Sequence, residues 1–117
     1  MDEAEQTSLD GSMRDCLFYL EDAARTVAAG PDRALQQFDG HFAAAWELRQ
    51  ELLVGASLVG WSGLTSTLRQ SIDRLVATAA ELPEAAFAGH DASELFHPSW
   101  EQVGEAASQF LAVREEG

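Results

Sequence analysis

A chain of 117 residues has room for one hydrophobic core and not for two, so a single domain over residues 1–117 is expected. Its formal net charge is -13, all seven basic residues are arginine, and 46% of its residues are hydrophobic. This composition excludes intrinsic disorder and argues against direct contact with nucleic acid or an anionic membrane, both of which attract clustered cations.

Residues 1–8 are expected to fray, as chain ends without anchoring contacts do. From Leu9 onward, Met13, Cys16, Leu17, Leu20, Ala24 and Val27 recur at the spacing of one helical face. Cys16 lies on that stripe, which predicts a core thiol. As the only cysteine it has no disulfide partner within the chain. Gly30-Pro31 ends this helix, because glycine supplies a left-handed cap and proline starts the next helix more readily than it continues the last. The second helix places Leu35, Phe38, Phe42, Ala45, Trp46 and Leu53 on one side, with Leu48 and Leu52 on an adjoining one. So wide an apolar sector predicts contacts on two faces, and Gly40 predicts a kink.

Ser62 is the expected N-cap of a third helix with the stripe Leu64, Leu68, Ile72, Leu75, Val76 and Ala79, closed by Pro83. Residues 84–97 read as irregular helical turns around Gly89. A last helix begins at Pro98 and turns Trp100, Val103, Ala107, Phe110, Leu111 and Val113 inward. No run alternates with the period of a strand, so the expected fold is all-α, a compact bundle of four to five helices. Nothing at the N-terminus resembles a secretory signal, and a cytoplasmic protein is expected.

Residues 52–68, LLVGASLVGWSGLTSTL, contain no charge. Three glycines and five Ser or Thr make them too polar for a membrane span, and no Gly-Lys-Ser/Thr follows to cradle a phosphate. Between two helices, Leu58, Val59 and Trp61 are too apolar for a solvent-facing turn. They either fold back over the protein's own core or form a patch for another chain. On the second reading Trp61 is the anchor, with Leu58, Val59 and Leu64 around it. Phe18, Tyr19 and Phe87 also fall off the stripes. Together with Leu48, Leu52 and Trp61 they favour a protein that contacts another chain, a homodimer included, over a lone monomer.

Catalytic chemistry is not expected. His90, Asp91, Glu94 and His97 include one Glu-x2-His motif where carboxylate-bridged metal bundles use two, and Pro98 interrupts it, so no metal site is assigned. His41 has no sequence-linked acid to orient it, no G-x-S-x-G elbow occurs, and no cofactor is implied.

Charge is uneven along the chain: residues 1–22 carry seven acids and one arginine, residues 81–117 eight and one, and residues 23–80 five of each. Acidic ends read as a solvated surface or as steering toward a basic protein. The lysine-free, acidic, helical chain, and above all GASLVGWSGLTSTLRQSIDRL at residues 55–75, resembles the QslA-type antiactivators of quorum sensing. The resemblance implies binding to a LuxR-type transcription regulator and a block on the dimerisation that DNA binding requires. The competing expectation is an acidic immunity-type protein that neutralises a basic toxin.

Overall fold

A computed structural model describes residues 3–116, with side chains described from 10 to 115. Five helices follow one another: α1 (Glu3–Ala28), α2 (Pro31–Gln37), α3 (Ala44–Leu53), α4 (Ser66–Ala80) and α5 (Trp100–Glu116). No strand occurs among the described residues, and the fold is an all-α bundle. No helix among them is long and apolar enough to cross a membrane.

Helix α1 spans 26 residues, which at about 1.5 Å per residue accounts for most of the 47 Å long axis. Its backbone is helical from Glu3, so residues 3–8 are wound where fraying is expected. Their sequence, EAEQTS, begins with good helix formers, which an apolar-stripe reading overlooks. Met1 and Asp2 lie outside the described residues. Gly30, at φ 104°, stops α1, and Pro31 opens α2.

The second predicted helix is two helices. Asp39 and Gly40 both take positive φ, 58° and 71°, and the Gly40 N–H closes the end of α2 on the Leu35 carbonyl at 2.9 Å. Two successive left-handed residues break a helix outright, so the stripe from Leu35 to Leu53 never forms as one face. Helix α3 buries Ala44, Ala45, Leu48 and Leu52 and leaves Trp46 out.

Helix α4 starts later than expected. Thr65 is its cap and accepts from the Leu68 N–H at 3.2 Å, whereas Ser62 lies in the preceding turn. Its stripe holds, with Ile72, Leu75 and Ala79 fully buried. Helix α5 packs against both α1 and α4, placing Val103, Ala107 and Phe110 at the centre. Between α4 and α5 the chain makes two short 3-10 turns, Glu84–Ala86 and Ala92–Phe96. The buried Glu21 ties α1 to α5 through Arg114 and also meets Arg25 at 3.5 Å, one turn along α1.

Candidate partner-binding surface

The uncharged connector between α3 and α4 opens with a 3-10 turn, Val54–Leu58, and packs against α1 and α4. Gly55 makes this approach possible, since a Cβ there would sit 3.0 Å from Leu20 and from Val76 side-chain carbons. Of the four residues expected to meet a partner, Leu58 is fully buried and Leu64 is 7% exposed. Both are core residues, which corrects their assignment to the surface: an apolar side chain sealed among α1, α4 and the connector has nothing left to offer a second chain. Val59 and Trp61 are half-buried against the same core.

The connector's backbone shows why no charge lies within it while one follows directly after. Arg69, the first ionisable residue beyond the run, donates from Nε to the Val59 carbonyl at 2.7 Å. Its Nη2 donates to the carbonyls of Trp61 at 3.0 Å and Leu64 at 3.4 Å. One planar guanidinium thus satisfies three carbonyls that have left regular helix. From the other side, Trp61 Nε1 donates to Asp10 Oδ1 on α1 at 3.0 Å. The indole lies so close over Gly63 that a Cβ there would fall 2.4 Å from a ring carbon. The connector is therefore fastened at both edges. Arg69 belongs to no motif, and its position one residue past the charge-free run is the sequence signal for it.

Exposed apolar surface lies beside the connector. Phe18 is 61% and Tyr19 69% exposed, their rings in edge contact at 6.0 Å between centroids. Val54, at the start of the connector, is 49% exposed and shares a shallow cleft with Tyr19, Asp22 and Glu51. Cys16 continues this strip, half-buried, with Sγ 3.6 Å from Ser57 Oγ and 3.9 Å from the Val54 carbonyl. The Glu51 carboxyl is pushed above its usual range, first by loss of hydration, then by the charges of Asp22 and Glu47. This surface is apolar at its centre and acidic at its edge.

A second aromatic area consists of Phe42, 59% exposed, and Trp46, 46% exposed, with His41 stacked on Phe42 at 4.5 Å. Phe87 is half-buried and lies under the Arg49 guanidinium, 4.0 Å from ring centroid to Cζ. Arg49 also donates to the Ala79 and Ala80 carbonyls at 3.0 and 3.3 Å and so closes the C-terminal end of α4.

The side chains of His41 and His97 and the acids near His90 have local structural partners. Glu94 accepts from the Gly89 and His90 N–H groups at 2.9 and 3.4 Å, and Asp91 caps the following turn through the Ser93 N–H at 2.9 Å. That bond holds the Asp91 carboxyl below its usual range. His97 Nδ1 accepts from the Ser99 N–H, and His41 Nδ1 from the Ala43 N–H, each at 3.2 Å. Among the described residues no three His, Cys, Asp or Glu side chains are grouped so as to hold a metal ion.

The arrangement defines a small helical protein with a partly exposed aromatic face. Set against known proteins, the chain matches no family model, no curated protein and no solved structure.

Proposed function

We propose that the chain is a protein-binding inhibitor: it captures a LuxR-type transcription regulator and keeps that regulator from dimerising on DNA. The observation that carries this reading is the outward face of Phe18, Tyr19 and Val54, three large apolar side chains exposed side by side next to the fastened connector. Exposed aromatic side chains grouped with an apolar neighbour are the usual anchors of protein contacts. Residues 55–75, which bear the resemblance to the antiactivators, begin directly after Val54.

The mechanism is mass action. An inhibitor that occupies the dimerisation surface of regulator monomers lowers the dimer population without touching DNA, provided its affinity rivals the regulator's self-association. The neighbouring acids Asp22, Glu47 and Glu51 speed encounter with a basic DNA-binding protein and select against acidic partners.

The test is sedimentation of a LuxR-type regulator with and without the purified chain, together with binding of the regulator to its operator. Capture should convert regulator dimers into a hetero-complex and release DNA; added salt should slow the association, while the amount captured at equilibrium should change little between low and physiological ionic strength. The double variant Phe18→Ser, Tyr19→Ser should keep its helical circular dichroism and lose capture. Regulator dimers left intact by the wild-type chain overturn the proposal. Binding that collapses with added salt and selects a basic toxin favours the immunity-type alternative. Self-association through this face would appear as concentration-dependent sedimentation of the chain alone, abolished in the same double variant.

A further inference from the structure

A cavity of about 450 Å³ opens where the C-terminal end of α1, the start of α2, residues 95–98 and the first turns of α5 meet. It lies toward the other end of α1 from the connector, whose Trp61 reaches Asp10. Its size falls within the range of sites that hold small organic molecules. Val27, Ala34, Leu48, Leu95 and Trp100 line it, and all five are core residues.

Besides Ser108 and His97, whose Nδ1 is occupied by the Ser99 N–H, the polar side chains that line this cavity are two glutamates. Glu101 and Glu105 line it from successive turns of α5, both exposed, and neither is in an ion pair with a described residue. No arginine lines the cavity. Like charges one turn apart weaken a helix by a few tenths of a kcal/mol, so the pair is not explained by the stability of α5. Gly104, between them, is a second oddity. Glycine inside a helix costs about 1 kcal/mol relative to alanine. Packing does not demand it, because a Cβ there would meet only the Val27 carbonyl oxygen, at an ordinary 3.5 Å. What the missing side chain does is keep this wall of the cavity recessed.

We infer that this cavity binds a small organic cation with an apolar body, a primary amine or guanidine carried on an aryl or branched alkyl group. The carbon skeleton replaces water over Val27, Leu95 and Trp100, and the cationic head lies between Glu101 and Glu105. Charge complementarity sets the sign of the ligand, and the buried apolar lining sets its body. The inference is independent of any protein partner, since none of these residues belongs to the face around Tyr19.

The test uses three probes of one shape: 2-phenylethylamine, the neutral 2-phenylethanol and the anionic 3-phenylpropionate. Each is titrated into the full chain while the indole N–H resonances are followed by NMR. The amine should saturate, shift the Trp100 resonance and leave that of Trp61 unmoved. It should bind at least tenfold more tightly than the alcohol, with the anion weakest. In the double variant Glu101→Gln, Glu105→Gln, which relieves a repulsion and should stay folded, the amine's affinity should fall to that of the alcohol. No saturation by the amine, equal affinity for amine and alcohol in the wild-type chain, a shift of Trp61 in place of Trp100, or unchanged amine affinity in the double variant each overturns the inference.

Discussion

Residues 54–64 contain no charge, yet they turn Leu58 and Leu64 inward; helix α1 is rich in acids, yet it turns Phe18 and Tyr19 out to solvent. The contrast separates two properties that composition tends to merge. Absence of charge in the connector reflects the cost of desolvation, because an ionised group buried there would need a partner. Its carbonyls already take the one available, Arg69. On α1 the charges at Asp15 and Asp22 sit one turn either side of Phe18 and Tyr19, and a helix can carry water-facing acids and exposed rings together. Docking surface is therefore to be sought by which side of an element is left uncovered.

The largest effect that can break this contrast is in the connector. Leu58→Ala empties a fully enclosed position and should destabilise the fold by about 3 kcal/mol in urea unfolding. A loss well under 1 kcal/mol would mean that Leu58 is not part of the core. Next comes Arg69→Met, which keeps the aliphatic stem and takes a donor from three carbonyls, of which that of Trp61 keeps the Leu64 N–H at 3.4 Å. About 2 kcal/mol should be lost, and Arg69→Lys should recover only part, because a point charge cannot match the geometry of the guanidinium. Smaller again is Trp61→Phe. It deletes the Nε1–H bond to Asp10 while keeping most of the ring surface, and should cost about 1 kcal/mol. If Trp61→Phe left stability unchanged but removed partner capture, the indole would belong to the docking surface after all.

How far the sequence could be read follows from the same physics. Stripes of large apolar residues at helical spacing located α1, α4 and α5, because burying one face is what holds those helices. The turns at Gly30 and Pro83 were legible from backbone constraint alone. The break at Asp39–Gly40 was legible only as a kink: glycine permits a left-handed conformation, but a second left-handed residue at Asp39 is decided by how α2 and α3 pack. That break re-phases the apolar positions, so Leu48 and Leu52 became core while Phe42 and Trp46 became surface. The surface itself was half legible. Phe18 and Tyr19 stood off their stripe in a long regular helix, where position dictates facing, whereas Val54, Leu58 and Leu64 sit around a 3-10 turn, where no simple period assigns inside and outside.

The smallest effect sharpens the electrostatic side of the comparison. Glu51 stands one turn from Glu47 on α3 and shares the cleft of Tyr19 and Val54 with Asp22, and its carboxyl pKa is raised above the ordinary 4.5 by lost hydration and these two charges. The folded state therefore holds the proton more tightly than the unfolded chain. The associated stability is fully present below 4.5 and is lost as pH rises through the raised folded value. Asp91 has the opposite sign. Its pKa is lowered below 3.8 by the Ser93 N–H, so its contribution is present above 3.8 and disappears as pH falls through the folded value. The two windows lie on opposite sides of the interval from 3.8 to 4.5, so a pH series separates them. Glu51→Gln should raise stability near neutral pH by a few tenths of a kcal/mol, the size of one like-charge pair on a helix. That gain should shrink to nothing as the wild-type carboxyl is protonated. Asp91→Asn should instead lose stability near neutral pH and match the wild type only in stronger acid. A Glu51→Gln gain that persisted unchanged into acid would place the source of the effect in packing, and the acidic edge of the Tyr19 cleft would lose its electrostatic account.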